Sequence, residues 1–218
     1  MPSLTIDNYV KTIYDICIHQ GEKPAATGQI AQMLDVLPGT VTSMMKTLSE
    51  SGLATYRPYE GVFLTASGTA LALRIIRRHR LIELFLVRTL NLCWDEVHAE
   101  AENMEHAVSD LLVDRIDAFL GLPELDPHGD PIPKADGTVS SNVGTKLSDV
   151  QTGTTVRLIR VLDQQPDFLR FLSSVGMDIG VQGLVRSSDV SGDVELQVDE
   201  QAVTISCTAA DKLLVEVV

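Results

Sequence analysis

His98, Glu102, Glu105 and His106 are residue types that coordinate metals or move protons, and their spacing suits one side of a helix. At roughly 100° per residue, taking His98 as zero places Glu102 near 40°, Glu105 near −20° and His106 near 80°, all within one arc. Val97, Ala101, Met104, Val108, Leu111 and Leu112 fall on the adjoining stripe, so the polar cluster should border a core on a helix running to about Phe119. His79 and Glu83 stand one turn apart in an earlier helical stretch and can aim an imidazole and a carboxylate at one place. Ordinary i,i+4 pairs on a solvated face would account for any one of these residues. Three carboxylates at the edge of a core, however, repel one another and are costly to desolvate without a cation. Imidazole nitrogen with carboxylate oxygen and no thiolate suits Mn²⁺, Fe²⁺, Co²⁺ or Zn²⁺.

The 218 residues, 44% of them apolar, allow one large domain or two to three small ones. No apolar run approaches a membrane span, and the start Met1-Pro-Ser-Leu-Thr-Ile lacks a signal-peptide pattern, so a cytoplasmic location with no membrane partner is expected. Cys17, Cys93 and Cys207 are odd in number and widely spaced, which predicts reduced thiols. A net charge of −13 argues against a generally basic nucleic-acid surface. The first 65 residues are the least acidic, with four Lys and Arg against six Asp and Glu.

Elements that could position these groups follow from periodicity and punctuation. Ile6, Tyr9, Val10, Ile13, Tyr14 and Ile16 predict a first helix ending at Gly21. Thr27 is a candidate cap for a helix over residues 28–34, and Pro38 opens a third helix to Glu50 with Gly52 beyond. Ile30, Ala31, Leu34, Val41, Met44, Met45 and Leu48 supply the core of this helix-turn-helix. Residues 53–56 and 61–65 alternate as strands of a hairpin wing around Arg57-Pro-Tyr-Glu. Thr40, Thr42 and Ser43 could reach base edges, with Lys46 and Arg57 on phosphates. A long helix over residues 66–91 follows, carrying Arg74, Arg77, Arg78 and Arg80. Residues 121–146, rich in Pro and Gly, read as a linker, and residues 147–218 as a small β-barrel with turns such as Ser191-Gly-Asp193 and one short helix around 168–174. The fold class is mainly α with a β-barrel domain: a winged helix-turn-helix over 1–65, a helical domain over 66–120, the linker, and the barrel.

In this order the chain resembles the diphtheria-toxin-repressor family of metal-dependent transcriptional repressors over nearly its whole length. The resemblance rests on Asn8-Tyr-Val-Lys-Thr-Ile-Tyr14, Pro38-Gly-Thr-Val-Thr-Ser43, Gly61-Val-Phe-Leu-Thr-Ala-Ser-Gly68, Arg78-His-Arg-Leu-Ile-Glu83, the 98–106 cluster and Asp126-Pro-His-Gly-Asp-Pro-Ile-Pro133. It implies a helical metal-binding and dimerisation domain, an SH3-like carboxy-terminal domain, a homodimer and a double-stranded DNA operator. By the same resemblance, Glu102, Glu105 and His106 form one metal site, with Asn8 as a candidate fourth ligand where relatives have Met or Asp. His79, Glu83 and His98 form a second, with Gln164 and Asp167 as candidate oxygen donors from the barrel. Two divalent sites per subunit are thus expected. Glu102 stands where iron-responsive members carry Cys, which favours Mn²⁺. Lys11 replaces an acidic ligand of the manganese branch, which favours two separate sites over a close metal pair.

Competing readings are an Fe²⁺-responsive repressor, a His/Glu metallohydrolase, and a winged-helix regulator whose acidic cluster is only solvated. The chain has no P-loop, no Gly-x-Ser-x-Gly and no glycine-rich dinucleotide loop to support an enzyme. Metal-dependent DNA binding without turnover separates these readings.

Overall fold

The computed structural model describes residues 4–140, 144–188 and 192–218. Residues 141–143 of the expected linker and Ser191 of the expected turn lie outside them. Two compact units divide the chain: Met1–His79 with Pro133–Thr138, and Arg80–Ile132 with Val139–Val218.

In the first unit, α1 (Leu4–His19), α2 (Thr27–Met33) and α3 (Pro38–Glu50) bury one apolar stripe each, closing on Val10, Ile13, Ile30, Val41, Met45 and Leu48. Pro38 occupies the first turn of α3, where its missing N–H costs nothing. The cap of α2 differs from expectation: Ala26 is the N-cap, and the Gln29 side chain accepts from its backbone N–H at 2.9 Å. Strands β1 (Ala54–Arg57) and β2 (Gly61–Leu64) pair antiparallel as the wing, Ala54 opposite Leu64. Gly61, at φ +111°, lies so close to Ala25 that a Cβ would sit 2.7 Å from its carbonyl oxygen. Helix α4 (Ala66–Leu90) begins in this unit and continues into the second, the division falling after His79. Pro133–Thr138 belongs to the first unit, where the Arg77 guanidinium donates to Pro133 O at 3.0 Å.

The second unit departs from expectation after Glu105. One helix to Phe119 was expected; the chain instead forms α5 (Val97–Glu105) and α6 (Asp110–Phe119), because Ser109 restarts it as an N-cap whose hydroxyl accepts from Leu112 N at 3.3 Å. The expected stripe therefore breaks after Val108: Val97 and Ala101 are fully buried with Met104 and Val108 packed against their cluster, whereas Leu111 and Leu112 are exposed. Beyond the helices, β3 (Thr145–Lys146), β4 (Thr155–Val161), β5 (Gln182–Ser188), β6 (Val194–Val198), β7 (Gln201–Ile205) and β8 (Leu213–Val217) form one antiparallel sheet in the order β3-β8-β4-β5-β6-β7. Inward residues alternate along β6 (Val194, Leu196, Val198) and meet Leu169 and Leu172 of α7 (Pro166–Ser174). A short α8 (Cys207–Ala210), not expected from sequence, precedes β8. The indole N–H of Trp94 donates to Ser173 at 2.9 Å, and Arg170 pairs with Asp95 at 3.1 Å, tying the segment before α5 to α7.

The expected linker is, in its first half, interior. Asp126, His128, Asp130 and Ile132 are all buried, held by side-chain and backbone bonds that periodicity does not reveal.

Candidate metal centre and nucleic-acid face

Helix α5 delivers the predicted cluster in its second-unit part. Glu105 is wholly buried, and its Oε1 is 3.3 Å from His106 Nε2. His106 is the helix's C-cap rather than an interior helical residue, at φ −86° and ψ −20°, so it keeps the cluster's direction although α5 ends beside it. Glu83, on the second-unit part of α4, is also buried, with Oε1 3.3 Å from His98 Nδ1. His98 Nε2 lies 3.9 Å from Glu102 Oε1. Taking a carboxylate out of water is costly unless hydrogen bonds or an opposite charge compensate it, and each of these two has an imidazole nitrogen at 3.3 Å.

In the first unit, His79 is buried on α4, one turn before Glu83, with Nδ1 3.5 Å from Lys11 Nζ. Asn8 Oδ1 is buried without a hydrogen-bond partner among the described residues, an acceptor held ready for a donor or an ion. These groups fit a hard-to-borderline divalent ion: carboxylate, imidazole and amide oxygen, with no sulfur. Cys17, Cys93 and Cys207 are free thiols.

Gln164 and Asp167 are engaged elsewhere in the second unit. Gln164 Nε2 donates to Asp130 Oδ2 at 2.9 Å, and the exposed Asp167 pairs with Arg170 at 2.6 Å. The residues that the sequence reading passed over are Asp126, His128 and Asp130, with Arg80 and Arg160 around them. Arg160 Nε meets Asp130 Oδ1 at 2.5 Å and an Arg80 nitrogen meets Asp130 Oδ2 at 3.4 Å. Burial first, then the charges of Asp130 and Glu83, hold the Asp126 carboxyl well above the usual range, with Arg80 opposing. The alternation Asp-x-His-x-Asp was the available signal.

In the first unit, α3 exposes Thr40, Ser43 and Lys46. Thr42 is half-buried and its hydroxyl donates to Pro38 O at 3.1 Å, which engages its one hydrogen on its own helix. Arg57 stands exposed at the wing, 3.2 Å from Glu60. Exposed pairs of that kind are weak, so the guanidinium is available to a phosphate.

Comparison with known proteins assigns the parts. Residues 1–62 match the family model described as the iron dependent repressor N-terminal DNA binding domain, and residues 65–134 its metal binding and dimerisation domain. Residues 145–217 match the FeoA domain, which makes the sheet of the second unit the SH3-like domain. The iron-dependent repressor IdeR of Mycobacterium tuberculosis is 33% identical over 165 residues, 71% of this chain and 70% of that one. The HTH-type transcriptional regulator MntR of Lysinibacillus sphaericus is 32% identical over 127 residues, 58% of this chain and 89% of its own. A solved manganese-dependent transcriptional repressor in complex with manganese superposes with a TM-score of 0.85 at 36% identity, covering 98% of this chain and 100% of that one.

Proposed function

This chain belongs to the iron-dependent repressor family of DNA-binding transcriptional regulators, and we propose that within it the protein is a metal-activated repressor, favouring Mn²⁺, of genes for metal-ion homeostasis. The observation that carries this reading is the burial of Glu83 and Glu105, each facing an imidazole, on the chain of a winged helix-turn-helix protein. The working form is a homodimer on a double-stranded operator in the cytoplasm, without enzymatic activity. Among the described residues, no helix is long and apolar enough to cross a membrane.

The ligands would be Glu102, Glu105 and His106 with Asn8 for one ion, and His79, Glu83 and His98 for another. A bound divalent ion supplies positive charge that offsets the carboxylates. Everything else falls to the protein. His106 and His98 orient the carboxylates beside them; Thr40 and Ser43 on α3 read base edges; Lys46 and Arg57 hold phosphate oxygens. Gln164 and Asp167 stay candidate oxygen donors for the second ion: the Gln164 bond to Asp130 uses Nε2 and leaves Oε1, and the exposed Asp167 pairs with Arg170 through Oδ1 alone.

Manganese is favoured because the donors are oxygen and nitrogen alone, whereas raw affinity rises from Mn²⁺ through Fe²⁺ and Co²⁺ toward Zn²⁺. Selectivity should therefore appear as activation rather than as binding strength. The iron reading stays as the alternative because the mycobacterial relative carries iron in its name. Anaerobic operator binding against free metal, for wild type and Glu102→Cys, separates them. Wild type should respond to Mn²⁺ and the variant should shift toward Fe²⁺. A wild type that answers Fe²⁺ and ignores Mn²⁺ replaces the manganese reading with the iron one.

A further inference from the structure

The tip of the wing in the first unit carries a residue that its own turn disfavours. Glu60 N donates to Arg57 O at 3.1 Å, closing the four-residue turn Arg57-Pro58-Tyr59-Glu60. Pro58 at the second position and a φ of +68° at the third, Tyr59, are the marks of a type II turn. That third position suits Gly or Asn, because a Cβ is strained in the left-handed region and a bulky side chain there is an outlier. The Tyr59 ring is also fully exposed, at a relative exposure of 108%. Backbone and solvation both work against this side chain, so neither folding nor packing accounts for it.

The base of the same hairpin is held firmly. Ser49, near the end of α3, accepts from Tyr56 N and donates to Ala54 O, both at 3.2 Å. On the other strand, Val62 and Ala25 exchange backbone bonds of 2.9 and 3.0 Å. The four turn residues, by contrast, are all exposed. Strand β1 is thus tied to the C-terminal end of α3, so docking α3 on a duplex fixes where Tyr59 goes. Beside the tip, Pro24, Thr55, Arg57 and Phe63 line a recess of about 170 Å³, with Thr55 opposite Phe63 in the strand register. Its aromatic ring suits a sugar, and its guanidinium and hydroxyl suit a phosphate.

An ordinary surface tyrosine is the simpler account, and it explains the exposure alone. It does not explain an aromatic side chain where the backbone favours Gly, on the hairpin tied to α3 within the part matched as a DNA binding domain.

We propose that Tyr59 is a DNA-contact residue: with α3 in the major groove, the wing tip enters the neighbouring minor groove, the Tyr59 ring lies between its sugar walls, and Arg57 meets a flanking phosphate. Four residues of β1, at about 3.3 Å each, span roughly one groove width, so a tip at the far end clears the groove that holds α3. A flat ring fits edge-on in a minor groove about 6 Å wide. The proposal rests on the DNA-binding part of the repressor reading and adds an uncharged contact to the ionic ones.

The test uses the full-length protein at saturating Mn²⁺ with the duplex of its own promoter. Tyr59→Gly relieves the turn, so its urea midpoint should rise, while its affinity for that duplex should fall about tenfold, the scale of one aromatic contact to nucleic acid. A merely structural role cannot give stability and binding opposite signs. Because the lost contact is uncharged, the slope of log affinity against log salt should keep its wild-type value, whereas Arg57→Gln should reduce it by about one. Tyr59→Phe should recover most of the loss. Hydroxyl-radical footprinting should show minor-groove protection beside the α3 half-site that Tyr59→Gly loses while the half-site protection stays. Wild-type binding that is equal with and without Mn²⁺ breaks the repressor reading, and the Tyr59 comparison is still decided by the same data. Equal affinity and equal footprints for wild type and Tyr59→Gly overturn the proposal, as does a Tyr59→Gly protein that loses affinity and stability together.

Discussion

Helix α3 and the 126–130 turn handle polar side chains in opposite ways. On α3, Thr40, Ser43 and Lys46 face solvent while Val41, Met45 and Leu48, with the half-buried Met44, hold the helix down. In the turn, Asp126, His128 and Asp130 are themselves the interior, and their hydrogen bonds hold the chain. The proposed recognition residues are thus separable from stability, whereas the polar interior of the second unit is not. An exposed side chain can change with little effect on folding, and a buried polar one cannot lose a partner without orphaning another.

The sharpest separation should come from Glu105→Gln against Lys46→Gln. Removing the charge of a buried ligand should lower metal affinity about 10- to 100-fold, and operator binding at limiting Mn²⁺ should fall with it. Lys46→Gln should instead weaken random and operator DNA alike and reduce the salt slope by about one. Metal and DNA titrations of both variants check this; a Glu105→Gln protein that keeps its metal response breaks the contrast.

Next in size is stability. Asp126→Ala strands two buried amides, so urea unfolding should show a loss of about 2–5 kcal/mol, comparable to that from emptying the first core with Met45→Ala. Ser43→Ala should stay within about 0.5 kcal/mol. A neutral Asp126→Ala would mean that the turn does not depend on its carboxylate.

Within α3, Ser43→Ala should cost operator affinity about 1 kcal/mol, near fivefold, and leave random DNA unaffected. Thr42→Ala should cost less than twofold, because its hydroxyl is bound to Pro38 O. Equal losses at both positions would return Thr42 to the DNA face. The smallest effect concerns thiols: burial raises the Cys17 thiol above its ordinary value, against a weaker lowering by the Ala25 backbone, so exposed Cys93 should be alkylated first, as mass spectrometry of timed samples would show.

The same contrast explains what could be read from sequence. Pro38 and Gly52 bracket α3, and Gly61 opens β2, because these boundaries are set by local backbone chemistry. The Glu105 and His106 pair was visible for a similar reason, being neighbours on one short stretch. The restart at Ser109 was not, since an N-cap inside an apolar-periodic run competes with a longer helix that the pattern equally allows. The 121–146 stretch reads as a linker because the order of its first half comes from distant partners, Arg80, Trp94 and Arg160, and no local spacing encodes them. Thr42 has a side-chain type that can read base edges, and only the geometry shows its hydroxyl hydrogen engaged by Pro38 O.

The most direct test of the account is the affinity of the wild-type chain for the operator in its own promoter, measured anaerobically by anisotropy across free Mn²⁺ from full chelation to saturation. The account predicts only weak, salt-sensitive binding under chelation and a gain of at least about 100-fold on saturation, the scale of a coupling free energy near 3 kcal/mol. Equal operator affinity with and without metal would contradict it, leaving a winged-helix regulator whose buried carboxylates and imidazoles serve the fold alone.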